Sequence, residues 1–235
     1  MKTLIALFIG FSLAYFAMSN KPLLKDLAQS LNEPNTRKST DHNNRYGNYD
    51  PGTDNNFSIE ERNYFNEIAK KTEYGGNTEI SRWIKDMKIY VAGEKPDYLM
   101  TELYNIVQEL NDLIDPIEIE IVNNKKESNY TIFFGSQHDY NSIEPTSSKY
   151  TQNNWGLFVI NGGETINRGS MYVDIYRCYD VEGQKHLLRE ELTQSLGLTN
   201  DSYMYPESIF YQQWSTTTSF APIDKKMIQM LYNYW

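Results

Sequence analysis

Histidine and cysteine are scarce in this 235-residue chain: His42, His138 and His186 lie far apart, and Cys178 stands alone. A single cysteine excludes an intrachain disulfide framework and any cysteine-based zinc cluster. Three scattered histidines leave no way to build an ordinary His-rich zinc site. Basic residues are also in deficit, 22 against 31 acidic, for a net charge of −9. That balance argues against a phosphate-binding surface, and so against nucleic acid as a partner. The longest largely apolar run, Leu4 to Met18, is shorter than the roughly 20 residues of a spanning helix, and there is no internal repeat. What is present, 40% apolar, 14% aromatic and 23% charged, describes an ordinary soluble domain plus some extra chain.

The extra chain is N-terminal. Lys2 precedes the apolar run, and Ala17-Met18-Ser19 supplies a small–x–small pattern before Asn20. Residues 1–19 therefore read as a secretory signal peptide, with an uncleaved anchor as the alternative. The chain is expected to be secreted or held in the cell envelope or periplasm, touching membrane only through an uncleaved N-terminal segment. No cysteine follows the apolar run, so a lipid-modified anchor is not available. Residues 20–56 read as a flexible polar linker. Lys21–Leu31 has helical spacing, but Asn32–Asn56 has too few aliphatic residues to offset its ordering entropy.

From Phe57 to Trp235 the pattern is globular. Ser58 and Glu61 form a capping box that opens a helix through Phe65, Ile68 and Ala69. Ile89 and Val91 alternate as in a strand over Lys88–Gly93. Pro96 opens a long amphipathic helix with Leu99, Leu103, Ile106, Val107, Leu110 and Leu113 on one stripe. Four strand-like runs follow, Ile117–Val122, Tyr130–Phe134, Trp155–Ile160 and Met171–Tyr176, separated by Gly-, Asn- and Ser-rich turns. A second amphipathic helix runs from about Gly183 to Leu196, with Gly197 as its stop signal, and a helical tail begins near Asp224. The expectation is an α+β fold: a twisted mixed sheet of about five strands, one crossover helix, one site-bearing helix and a short C-terminal helix.

The chemistry sits on the second helix. Leu188, Leu192, Ser195 and Leu196 share a core-facing arc, and Leu187, Glu190, Glu191 and Gln194 occupy the adjoining one, at the rim of a groove. Glu190 and Gln194 are one turn apart, and Gly197 lets the chain bring Asn200 and Asp201 back toward them. His186, a turn before Glu190, could form a shifted metal pair with it, but a solvated histidine near the helix start is the stronger expectation. Cys178 reads as a small apolar residue near the core, since no histidine accompanies it.

The spacing Glu190-Glu191-x-x-Gln194-x-x-Gly197-x-x-Asn200-Asp201 resembles the metzincin metalloprotease motif HExxHxxGxxHD, with all three zinc-binding histidines replaced. Ser208-Ile209-Phe210 resembles the family's Ser-Ile-Met turn. Arg189-Glu-Glu-Leu-Thr-Gln-Ser-Leu-Gly-Leu-Thr-Asn-Asp-Ser resembles the signature of an uncharacterised family of secreted bacterial zincin-like domains. The resemblance implies a metzincin-like fold in which Trp155–Ile160 is the antiparallel edge strand that holds extended substrate. It puts Glu190, Gln194 and Asn200 in the three ligand places and Glu191 in the general-base place. One carboxylate and two neutral amides disfavour zinc and suit calcium, magnesium or manganese better. Three outcomes follow: a hard ion with several waters, a metal-free hydrolase in which Glu191 activates water, or a polar network that replaces the metal. The leading expectation is an exported, non-catalytic or atypical peptidase-fold protein that binds extended peptide or protein in its groove. The alternative is an active peptidase using Glu191 with a hard metal ion or none.

Overall fold

The structure, a computed structural model, describes residues 57–70, 79–161 and 163–233, together with the backbone of Ile5–Leu7. The expected signal-peptide cleavage pattern at residues 17–19 and the linker at 20–56 lie outside the described residues. In chain order the elements are β1 (Ile5–Leu7), α1 (Ile59–Lys70), β2 (Arg82–Trp83), β3 (Met87–Gly93), α2 (Asp97–Leu113), β4 (Ile119–Val122), β5 (Tyr130–Gly135), α3 (Gln137–Ile143), β6 (Gly156–Asn161), β7 (Thr165–Ile166), β8 (Gly169–Asp174), α4 (Val181–Gln194) and α5 (Pro222–Asn233).

The main sheet has the order β1-β6-β8-β5-β3-β4. Strands β8, β5, β3 and β4 are parallel, while β6 is antiparallel to β8 and pairs on its other side with β1. This is the mixed α+β sheet that the sequence leads one to expect. A separate parallel pair joins β2 to β7. No helix among the described residues is long and apolar enough to cross a membrane.

Local sequence accounts for most boundaries. The capping box is formed: the Ser58 amide donates to Glu61 Oε2 at 2.7 Å and the Glu61 amide to Ser58 Oγ at 3.1 Å. The α2 stripe of Leu99, Leu103, Ile106 and Leu110 is fully buried in the same core cluster as Ile89, Val91, Ile132 and Phe134. Three expectations need correction. The segment between β5 and β6 contains a helix, α3, capped where Ser136 Oγ accepts from the Asp139 amide. Strand β8 begins at Gly169, not Met171, because Gly169 still pairs with Tyr130 and Ile160. The short pair β2–β7 is additional. Helices α2 and α4 share the large core on one face of the sheet, while α3 covers a smaller cluster of Phe133, Tyr140, Leu157, Val159 and Tyr172 on the other.

Helix α4 is the centre of the domain, and from His186 to Gln194 it is buried all round. Gln184, His186, Arg189, Glu190, Glu191, Thr193 and Gln194 are all 5% exposed or less. A helix in that position needs partners for its ends as well as its sides. Asp180 Oδ2 accepts from the Gly183 amide at its start. At its end the Trp83 indole donates to the Ser195 carbonyl and the Tyr232 hydroxyl to that of Leu196. Gly197 has φ +126°, and a Cβ there would lie 2.0 Å from the Ser81 carbonyl oxygen, so only glycine lets the chain leave the helix this way.

Arg189 ties α4 to α2. Its guanidinium donates to Glu102 at 2.7 Å and to both oxygens of Glu109 at 3.0 and 3.1 Å, with the Phe220 ring 4.6 Å away. Arg189 and Glu102 are both buried, so removing one partner leaves a charge inside the protein. Arg189→Ala is expected to lower stability by about 3 kcal/mol in urea unfolding. The pair Arg189→Met with Glu102→Leu should recover at least half of that loss. A change below about 0.5 kcal/mol in the single variant, the level of an ordinary surface substitution, would remove Arg189 from this role.

Candidate functional site

Each motif residue on α4 and the following turn has a definite place. Glu190 lies one turn from His186, with His186 Nε2 3.4 Å from Glu190 Oε2. Gln194 donates from Nε2 to Asp201 Oδ1 at 2.5 Å, and Gln212 donates to Asp201 Oδ2 at 3.4 Å. Asn200 turns the other way. Its amide donates from Nδ2 to the Glu67 carbonyl on α1 at 3.3 Å and to the Asp201 carbonyl at 2.7 Å, while its backbone N–H donates to the Ile68 carbonyl. Gln194 and Asp201 are thus brought together, and Glu190 is set beside His186. Asn200 is committed to the backbone of α1.

Glu191 is fully buried and reaches over β6 at Gly156. A Cβ at Gly156 would stand 2.7 Å from Glu191 Oε1, so the glycine makes the space that this carboxylate fills. Tyr130, Tyr140 and Tyr172 surround the same region. Burial above all holds their hydroxyls protonated far above the usual range for tyrosine, with neighbouring acidic groups, Glu191 among them, adding a smaller push in the same direction.

His186 corrects an expectation. It is 2% exposed, not solvated. The chain between Phe210 and Phe220 passes over this side of α4: Nδ1 of His186 meets the Thr217 carbonyl at 2.8 Å, and Trp214 packs edge-on to the imidazole at 6.0 Å and to Trp155 at 5.8 Å. Trp214 also lies over Gly183, where an added Cβ would be 2.9 Å from its ring. Burial pushes the His186 pKa down to about 4. The strap is rich in Gln, Ser and Thr and reads as an exposed loop; a tryptophan in its middle is the only sequence signal that it packs inward. Cys178 is buried as expected, its thiol pushed up to about 11 by burial.

The Ser208-Ile209-Phe210 turn lies inside the same layer, all three residues fully buried. Asp224, in the first turn of α5, accepts from the Ile209 amide at 3.0 Å, from the Ala221 amide at 2.8 Å and from the Ser208 hydroxyl. Tyr64 on α1 is bonded to Ser208 Oγ at 2.8 Å. Burial raises the Asp224 pKa to about 6. This network fixes the turn between α1 and α5.

The ligand places do not fit a zinc ion. Asn200 points to α1, the Gln194 amide donates to Asp201, and Glu190 faces an imidazole. Among the described residues no three His, Cys, Asp or Glu side chains form a cluster able to hold an ion.

The chain belongs to a family of proteins of unknown function, DUF2927, whose model matches residues 59–234. None of the curated proteins compared with it matches. Among solved structures it is similar to two of myroilysin. One gives a TM-score of 0.41 at 12% identity over 65% of this chain and 82% of that one; the other gives 0.40 at 10% identity over 65% and 86%.

The burial of His186 has a readable consequence. An imidazole whose folded pKa lies below its unfolded value costs stability as it is forced to take up a proton. Its contribution is whole above about pH 6.5 and is lost as pH falls through about 4. In an NMR titration its ring signals should stay those of a neutral imidazole down to pH 5. The stability of the protein relative to His186→Gln should fall between pH 7 and 5. A ring that titrates near 6.5 would mean that the strap does not cover it.

Proposed function

We propose that this domain is a zincin-like fold that works as a binding module, exported from the cell, and that it holds extended peptide along the margin of β6 without cleaving it. The observation that carries this reading is the divergence of the former ligand places: Glu190 toward His186, Gln194 toward Asp201, Asn200 toward the backbone of α1. The zincin relation is supported by the spacing of Glu191, Gly197 and Asp201 on and after a central helix, and by the buried Ser208-Ile209-Phe210 turn beside it.

Hydrolysis needs a base that can reach a water and a substrate carbonyl. Glu191 is 0% exposed and faces the backbone of β6 at Gly156, and the segment around Trp214 closes the opposite side of the helix. Hard ions such as calcium, magnesium and manganese take six or more oxygen donors. Here Asp201 is engaged by two amides, and Glu190 has an imidazole beside it. No step of a reaction is therefore assigned to a metal. The polar groups act as an internal staple in the place where zincins hold their ion.

The sheet supports the peptide-binding reading. Strand β6 is second in the six-stranded sheet, antiparallel to β8 on one side, while on the other the three-residue strand Ile5–Leu7 pairs antiparallel with Val159–Asn161; removal of Ile5–Leu7 with the expected signal peptide makes β6 the margin. A margin that accepts a strand offers backbone donors and acceptors to any extended peptide of suitable sequence.

The assay is incubation of the full chain with denatured casein and a mixed peptide library, with zinc, calcium, magnesium or manganese added, beside Glu191→Gln. The expected outcome is no cleavage in either protein under any condition. Cleavage by the wild type that Glu191→Gln abolishes would establish the alternative, a peptidase using Glu191.

A further inference from the structure

Resting on that strand-addition reading, we infer that the peptide recognised at β6 is acidic, with carboxylate side chains at alternate positions that enter a cavity on the sheet face opposite α4. The cavity has a volume of about 750 Å³, within the 300–1,000 Å³ common for ligand pockets. It lies where the ends of β6, β8 and β5 meet the segment after α3, and Val159, Asn161, Thr131 and Ser170 form its floor.

Register links this cavity to the margin of β6. In the antiparallel pairing Leu7 is opposite Val159 and Ile5 opposite Asn161. Residues directly opposite one another across an antiparallel pair project to the same face of the sheet. Val159 belongs to the cluster on the α3 side, and Val159 and Asn161 both line the cavity. A peptide that takes the place of Ile5–Leu7 in this register sends every second side chain to the cavity face, at the positions opposite Val159 and Asn161.

Charge supplies the specificity. Lys125 and Arg168 stand exposed at the cavity, and among the described residues neither takes part in an ion pair. The only acid of the lining, Glu144, accepts the Thr146 hydroxyl. Asn161 Oδ1 accepts from the backbone amides of Asn167 and Arg168 at 3.0 and 2.8 Å, which fixes the turn carrying Arg168 beside the end of β6. With Lys125 and Arg168 against Glu144, basic groups outnumber acidic ones in the lining, in a chain whose net charge is −9. An acidic peptide is repelled by most of the surface and drawn to this end of the sheet.

The test uses the chain without residues 1–19, the expected signal peptide, so that Ile5–Leu7 does not occupy the β6 edge, and three fluorescent strand-forming peptides: one with glutamate at two alternate positions, one with glutamine there, and the glutamate peptide with N-methylated backbone amides. Two half-exposed ion pairs should make the glutamate peptide about tenfold tighter than the glutamine peptide at low salt, a preference that shrinks at high salt. Lys125→Ala with Arg168→Ala should bring the two within about twofold, and N-methylation should abolish binding. Equal binding of glutamate and glutamine peptides, both lost on N-methylation, would overturn the acidic specificity and leave strand addition standing. Binding of none of the three would overturn both. Undiminished binding of the N-methylated peptide would mean that anions enter the cavity without pairing to β6, and would also overturn the inference.

Discussion

Burying a helix made largely of polar residues is the constraint around which this domain is arranged. Each polar side chain of α4 lost to water needs a partner that another element must bring. Tyr98 on α2 donates to Gln184 Oε1, whose Nε2 donates to the Cys178 carbonyl. Glu102 and Glu109 meet Arg189, Thr217 meets His186, and Asp201 meets Gln194. Trp83 and Tyr232 close the last carbonyls. These partners come from β2, from α2, from the turns before and after α4, from the strap before α5 and from α5 itself. The helix cannot be loosened without disturbing all of them.

That requirement bears directly on function. A hydrolytic site needs a base and an electrophile facing a space that substrate enters. The same helix positions here face inward, and their hydrogen-bonding capacity is directed to the fold. Arg189, next to Glu190, is part of this: its two carboxylate partners tie α4 to α2, while Glu191 points at Gly156. In the proposed reading, recognition falls to the sheet, at the edge of β6 that Ile5–Leu7 covers and at the cavity beside it.

Much of this was legible in the sequence. Ser58 and Glu61 announce the first helix, the Leu99–Leu110 stripe gives α2, and Gly197 marks the end of α4. The residues whose placement escaped reading share one physical cause. Periodicity tells which side of a helix is able to face a core, and is silent on what packs against the other side. His186 therefore reads as solvated, although Thr217 and Trp214 cover it. Asn200 sits at the right spacing to return to Gln194, yet its amide donates to the Glu67 carbonyl on α1 and to the Asp201 carbonyl. The helix α3 is short and polar, and only the Ser136–Asp139 cap marks it. Glu102 was a usable clue: it lies on the apolar stripe of α2, where a carboxylate needs a buried cation.

The central claim is that Glu190, Gln194 and Asn200 form parts of the protein's internal hydrogen bonding and not a metal centre. Anomalous diffraction at the zinc edge, from crystals of the full chain grown with excess zinc, tests it most directly. The account predicts no ordered zinc among these residues, with Gln194 still bonded to Asp201 and Asn200 to the Glu67 carbonyl. A zinc ion bound by two or more of Glu190, Gln194 and Asn200, with the Asn200 side chain turned away from α1, would contradict it.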